Sequence, residues 1–402
     1  MTDPVRLAFL TTHPVQYAAP LFRRIAADPD IDLTVFYASD LTVREFADPG
    51  FGRRIAWDVP LLDGYRSDFL EAWGGTGRID ILRPFSRGLS RRLKEGRFDC
   101  LAIHGYSRPV HWLAALTARR LGIRVLFRDE ATPISRRRGP VRRVLKRVFF
   151  AAIDRLADGW LTIGSLNAAY YRQQGVAGRK LFACPYAVDN AFFRNAAPDE
   201  GLRLRYSIGI PDDAPVILYA SKLQRRKHAD HLLAAFRQMD AADKSAGRPT
   251  PHLVFAGDGE LMPELRAMAE GMDSVHFLGF QGQKDLIACY AMCDVFVLPS
   301  SCEPWGLVVN EAMNLGKAIV VSDQVGCGPD LVRHGENGFV VQVGDIGAMA
   351  KALAALCADP DLAASMGRRS LEIVSGWDFE ADLRGIRQAL GLPPRQIAAT
   401  PP

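Results

Sequence analysis

The chain has 402 residues, 48% of them hydrophobic and 24% charged, with seven cysteines and a formal net charge of +5. That length exceeds what one hydrophobic core usually supports, so two α/β domains are expected, and the composition excludes a disordered or fibrous protein. No apolar run approaches the ~18 residues of a membrane span and no charged-then-apolar leader opens the sequence, which predicts folding in the cytoplasm.

The charge is unevenly spread. The first 190 residues hold 30 Lys/Arg against 19 Asp/Glu, an excess of 11 cations, and the remainder carries an excess of six anions. A basic partner surface therefore belongs to the N-terminal half. The cysteines are scattered and form no C-x-x-C pair, which favours reduced, mostly buried thiols over a disulfide framework or a metal site.

In chain order, residues 5–10 read as a first strand, followed by a polar turn with His13 and Gln16 and a helix in which Tyr17, Leu21, Phe22 and Ile25 recur at helical spacing. The turn lacks the glycines that let a backbone close on a phosphate. Asp28, Asp30 and Asp32 have the D-x-D spacing of a metal site, but their place between a helix and the strand at 33–38 reads as a turn. Residues 40–80 are rich in loops and aromatics (Phe46, Phe51, Trp57, Tyr65, Phe69, Trp73) and either shape a pocket or form a satellite core. Strands at 100–104 and 123–127 end in His104 and in Arg128, Asp129 and Glu130, and Tyr106 follows the first of them. In a parallel sheet these residues stand on the ligand-binding edge.

Residues 136–150 interleave seven cations with apolar residues. Helical spacing turns Val144, Leu145, Val148 and Phe149 to the core and Arg142, Arg143, Lys146 and Arg147 outward. Such a face suits an anionic membrane surface, the diphosphate of a lipid carrier or nucleic acid; the aromatic residues at its end favour the membrane, and no nucleic acid partner is expected. Strands at 159–163 and 182–185 close the first half, and the domain boundary falls near 189.

A second strand–helix alternation follows, with strands at 216–220, 253–256, 275–278, 295–298, 318–321 and 339–341. Two doubly wound halves account for this pattern. After 216–220 comes a basic loop in which Lys222 and Lys227 can flank a diphosphate. The run 295–323 reads strand, polar loop, helix, strand, with Glu303 in the loop and Glu311 inside the helix. The backbone N–H groups of Gly306 and Leu307 are the unpaired donors of that helix start, so an anion and a polyol held side by side would satisfy the site.

Here the residues resemble a known family. E-P-W-G-L-V-V-N-E at 303–311 resembles the Glu-x7-Glu motif of retaining family 4 glycosyltransferases of the GT-B fold. Lys222-Leu223-x3-Lys227, the Gly257-Asp258-Gly259 turn and the Pro185-Tyr186-Ala187-Val188-Asp189 junction are similar to its other elements, and 13–17 and 57–65 look like a bacterial polysaccharide-building subgroup. The resemblance implies two Rossmann-like domains facing a cleft: residues 1–188 on the acceptor side, 189–375 holding the nucleotide sugar, and a C-terminal helix in 376–402 crossing back. It implies that Glu311 holds the ribose, Glu303 the donor sugar, Gly306 and Leu307 the diphosphate, and Lys222 and Lys227 the charge that departs. Trp305, Gly257, Gly279 and Phe280 fall on the donor side, and His104 near the reacting centre. His13, Gln16, Tyr17, Tyr106 and Arg128 fall on the acceptor or phosphate side. The implied reaction is transfer of a sugar from a nucleoside diphosphate sugar to a saccharide or lipid-linked acceptor with retention of configuration and without cofactor or metal. It would take place in the cytoplasm, at the inner face of the plasma membrane where the basic helix reaches lipid. A nucleotide-sugar epimerase or a non-catalytic nucleotide-sugar-binding module are the alternatives. The chain departs from the family in having Lys222 where an arginine is usual, which loses a bidentate grip, and His13-Pro14-Val15-Gln16 in place of a Gly-Gly loop.

Overall fold

A computed structural model describes residues 3–73, 85–134, 139–195, 197, 199–245 and 249–395. Positions 136–138 of the basic segment, the side chain of Trp73 and residues 396–402 lie outside the described residues.

The N-terminal sheet is built from β1 (Val5–Thr11), β2 (Ile31–Tyr37), β5 (Arg66–Phe69), β8 (Cys100–His104), β9 (Arg124–Arg128), β10 (Gly159–Thr162) and β11 (Leu181–Ala183). Its order is β11-β10-β9-β8-β1-β2-β5, every neighbouring pair parallel. Two short antiparallel hairpins stand apart from it, β3 (Phe46–Asp48) with β4 (Arg53–Ile55), and β6 (Glu71–Trp73) with β7 (Phe85–Arg87). The second sheet comprises β12 (Val216–Ala220), β13 (His252–Ala256), β14 (Val275–Gly279), β15 (Val295–Leu298), β16 (Ala318–Ser322) and β17 (Gly338–Val341) in the order β14-β13-β12-β15-β16-β17, again all parallel. The central strands are continuous apolar runs because helices cover both faces: β12, β15 and β16 are buried at every position.

Each sheet therefore has two cores, one per face. The first strand of each half lies mid-sheet, and the order reverses there, between β1 and β8 and between β12 and β15. Ligands of open parallel sheets bind outside the carboxyl ends of the strands at such reversals, and the two reversals flank one cleft.

The chain crosses between the sheets twice. Helix Asn190–Arg194 begins the second half with Asp189 as N-cap, its carboxylate accepting from the Phe192 amide at 3.0 Å. Near 377 the chain returns, and the Asn190 side chain donates to the Val374 and Trp377 carbonyls, both at 3.4 Å, tying one crossing to the other. Helix Phe379–Leu390 then lies against the N-terminal sheet. Its apolar stripe Leu383, Ile386 and Leu390 joins the core beneath β1 and β2, and ion pairs fix it: Arg24–Glu380, Arg128–Asp382, and Arg387 with both Asp28 and Asp30.

Two sequence expectations meet a different structure. In helix Pro140–Asp154, Val144, Leu145 and Val148 are 61–64% exposed and do not enter the core; Phe150 and Ile153 do that work. Lys146 turns inward, its Nζ 4.6, 4.4 and 5.0 Å from the ring centroids of Tyr106, Phe149 and Phe150. An apolar face with arginines around it thus points outward. The spacing of apolar residues gave the stripe but not its direction, because the aromatic cluster of β8, β9 and β10 already fills that core.

Candidate functional site

A cleft of about 1390 Å³ separates the two sheets and is lined from both sides. Its C-terminal wall begins with the loop from β15 to helix Leu307–Asn314. The loop is pinned as a strip of extra ladder: the Glu303 amide donates to the Gln324 carbonyl at 3.2 Å, the Gly326 amide to the Glu303 carbonyl at 2.9 Å, and the Cys327 amide to the Trp305 carbonyl at 2.9 Å. Glycine is required at 326, where a Cβ would stand 1.9 Å from the Pro304 oxygen. At Gly306 the backbone takes φ +100° and turns abruptly into the helix, so the first helical N–H groups open on the cleft. Trp305 is buried, its Nε1 donating to Asn310 Oδ1 at 2.9 Å.

Glu303 is held by an ion pair with Lys227, and both side chains are nearly buried (12% and 8% exposed). Burial pushes the Lys227 ammonium down from its ordinary value, and the Glu303 carboxylate opposes that. Deeper in the cleft, Tyr290 Oη donates to Glu311 Oε2 at 2.6 Å; burial nevertheless pushes the Glu311 carboxyl up to about 7. Lys222 at the end of β12 lies on the cleft, its Nζ 2.8 Å from both carboxylate oxygens of Asp48. Gly257 closes the neighbouring edge, and a Cβ there would be 2.0 Å from the Ser221 oxygen. Phe280 lines the cleft, whereas Gly279 supports it from behind, its carbonyl accepting from the Gly257 amide at 2.7 Å.

The N-terminal wall carries His13, Gln16 and Tyr17 from the turn after β1. Burial, with Arg108 adding repulsion, pushes the His13 imidazole down to about 4, so it is neutral at physiological pH. Beside them stand Tyr186 and Glu130. Tyr186 Oη donates to Glu130 Oε1 at 2.7 Å, and burial pushes that carboxyl up from its ordinary value. Glu130, two residues past the end of β9, reads from the sequence as part of a ligand edge but with no role, and Tyr186 reads only as part of the domain junction.

His104, Tyr106 and Arg128 do not line the cleft. His104 stands behind Tyr186, Nε2 to Oη 3.4 Å, and burial followed by the charge of Arg128 pushes it down to about 3. Tyr106 belongs to the aromatic core with Phe150 and Trp160. Arg128 is buried against Asp382, with contacts of 3.0 and 2.7 Å. Arg142, Arg143 and Arg147 are exposed on helix Pro140–Asp154, in the basic surface of the N-terminal half.

The hairpin β3-β4 and the chain up to Asp58 reach across to the opposite domain. Asp58 accepts from the amides of Gln283 and Lys284 at 3.0 and 2.9 Å, capping helix Gln283–Met292 from outside. Phe51 meets Phe280 edge-on at 4.8 Å, and Arg53 stands 3.9 Å from Asp258.

As for metal, Asp28 and Asp30 are engaged by Arg387, and Asp32 by Arg66. His228, Asp230 and His231 bring three ligand-capable atoms within 4.8 Å of one another. They stand at the N-terminal end of helix Ala229–Ser245 directly after Arg225, Arg226 and Lys227, where dipole and charge alike oppose a dication.

Two parallel-sheet, Rossmann-like domains about a cleft are the arrangement of the GT-B fold. The comparisons agree with the geometry. The chain superposes on the Anabaena protein HepE, solved with UDP and also with UDP-glucose, with a TM-score of 0.73 for the UDP complex, 18% identity and coverage of 96% of this chain and 99% of that one. Residues 203–372 match the family model described as glycosyl transferases group 1. Among curated relatives it is 28% identical over 260 residues to the putative glycosyltransferase EpsD of Bacillus subtilis, covering 64% of this chain and 66% of that one. It is 30% identical over 205 residues to a GDP-mannose-dependent monoacylated phosphatidylinositol monomannoside mannosyltransferase of Corynebacterium glutamicum, covering 49% and 52%. The matches span 66% and 52% of the length of these two relatives.

Proposed function

We propose that the protein transfers a glycosyl group from a nucleoside diphosphate sugar to a saccharide or lipid-linked acceptor, with retention at the anomeric carbon. The observation that carries this is the C-terminal wall of the cleft, where Glu303 and Glu311 flank a helix start and two lysines approach it. Carboxylates accept from sugar and ribose hydroxyls, while cations and helix N–H groups receive the diphosphate. In this reading the acceptor oxygen bonds to the anomeric carbon on the face the diphosphate leaves, and the departing phosphate oxygen takes the acceptor's proton. Lys222, Lys227 and the amides after Gly306 stabilise the charge that develops, with no metal called for.

Incubation with UDP- and GDP-sugars and a panel of saccharide acceptors, followed by NMR of the product, tests it. Retained anomeric configuration, unaffected by EDTA, is expected; an inverted linkage overturns retention. Isomerised donor in the absence of acceptor would identify an epimerase, and binding without turnover a binding module. Glu303→Ala and Lys227→Ala should each lower transfer more than tenfold, because each removes a charged contact and leaves its partner unpaired in a nearly buried place.

The same proposal places the enzyme in the cytoplasm, on the inner face of the plasma membrane, building polysaccharide. Support comes from helix Pro140–Asp154, where Val141, Val144, Leu145 and Val148 are 61–71% exposed among Arg142, Arg143 and Arg147. Helix Pro109–Arg120 packs beside it through Trp112 against Phe149 at 5.2 Å and exposes Leu113 and Leu116. An apolar face rimmed by arginines suits an anionic lipid surface. Flotation with phosphatidylglycerol vesicles should be lost in Val144→Asp/Leu145→Asp, with the melting temperature unchanged; flotation that survives refutes the contact.

A further inference from the structure

We propose that residues 48–51 act as a built-in competitor for the nucleotide, Asp48 standing in for a phosphate and Phe51 for the base; this rests on the donor-site reading above. Asp48 gives both carboxylate oxygens to the Lys222 ammonium at 2.8 Å, and it is the less exposed partner, 13% against 33%. Three residues on, the Phe51 ring lies 4.6 Å from the same Nζ and 4.8 Å from the ring of Phe280 on the opposite wall. One short turn therefore presents an anion and an aromatic face together. It presents them to a cation and an aromatic ring on the cleft, the two kinds of group that a diphosphate and a nucleobase seek.

The fit is close. A Cβ on Gly50 would stand 2.7 Å from Lys222 Cδ and 2.9 Å from its Nζ, so a side chain there would push the end of the lysine aside. Arg53 against Asp258 and Asp58 on the amides of Gln283 and Lys284 hold the rest of the segment on the same domain. Lys227, the second lysine of the loop, is paired with Glu303. A diphosphate entering the cleft thus meets two ammonium groups already neutralised by carboxylates. Glu303 belongs to the same wall, whereas Asp48 comes from the other domain and leaves with its segment. Exchange of Asp48 for the diphosphate would free the turn, and of Phe51 for the base would clear Phe280. The N-terminal domain thereby sets nucleotide affinity without being part of the nucleotide's own wall.

The test is calorimetric titration of UDP and GDP into the full chain at fixed ionic strength, comparing wild type with Asp48→Asn and Phe51→Ala. Asparagine removes the charge and keeps an Oδ1 for the amides of Gly50 and Phe51, which donate to it at 2.7 and 3.2 Å, so the turn persists. Asp48→Asn should bind the preferred nucleotide about tenfold more tightly, the scale set by one partly buried charge pair, and Phe51→Ala should bind it more tightly by a smaller factor, since only ring contacts are lost. Equal or weaker binding by the variants, with wild type binding normally, overturns the competitor and leaves the donor site standing. No binding of either nucleotide to wild type or variants overturns the donor site and this inference with it. Tryptic cleavage after the exposed Arg53 and Arg54 supplies a second readout: nucleotide should speed it in wild type, and protection by nucleotide refutes the exchange.

Discussion

Glu311 offers a prediction whose size follows from its surroundings. Its carboxyl is raised from 4.5 to about 7 by burial, against the opposing hydrogen bond from Tyr290 Oη. At pH 6 roughly one molecule in ten carries the ionised form, and at pH 8 roughly nine in ten. Ribose hydroxyls donate, so they prefer the carboxylate, and a hydrogen bond to a charged acceptor contributes about 1.5–3 kcal/mol. Nucleotide affinity should then rise about tenfold between pH 6 and pH 8. The measurement is the Kd of UDP or GDP across that range for wild type and Glu311→Gln, because titration of the nucleotide's own phosphate cancels in the ratio. In Glu311→Gln the rise should vanish, and in Tyr290→Phe it should move to higher pH, since a donor to the charged form is gone. A wild-type/Gln ratio that stays flat from pH 6 to 8 refutes the assignment. Stability runs the opposite way: the folded carboxyl holds its proton more tightly than the unfolded one, so its contribution is complete below pH 4.5 and is lost as pH rises towards 7.

Other expectations follow from the same contacts. Asp382→Ala strands the Arg128 guanidinium, which is 2% exposed, and should lower stability by about 3–5 kcal/mol in urea denaturation; Arg128→Met/Asp382→Leu should recover most of the loss. Gly326→Ala drives a Cβ onto the Pro304 oxygen at 1.9 Å, so the loop must shift by enough to cost about 1–3 kcal/mol and to cut UDP or GDP binding more than tenfold. A Gly326→Ala chain that binds nucleotide normally would show that the Glu303 loop is not held as described.

What the sequence disclosed depended on range. The strands at 216–220, 295–298 and 100–104 fall where the apolar runs put them, because each run is short, bounded by turn residues and buried on both faces. The Glu303 loop was legible for the same reason, being read from consecutive residues. Arg128 was not: its partner Asp382 stands 254 residues away, and no local signal distinguishes an arginine meant for a ligand from one meant for a returning helix. Tyr106 and His104 follow the same logic, since a residue just after a strand points to the cleft only if no later segment covers it. Tyr186, arriving from the domain junction, covers His104. The hairpin β3-β4 was invisible as structure, for its three-residue strands carry no alternation, and its contacts with Lys222 and Phe280 lie in the other domain.

The returning helix Phe379–Leu390 makes the first lobe a discontinuous piece of chain. Cutting at the junction near 189 would give a fragment in which Arg128 has lost its carboxylate and the floor beneath β1 and β2 has lost Leu383, Ile386 and Leu390. Swapping everything before that junction between relatives would therefore assemble mismatched halves. A graft that carries the final helix along with the front segment keeps the lobe whole, and places the chain joints at the two crossings beside Asn190.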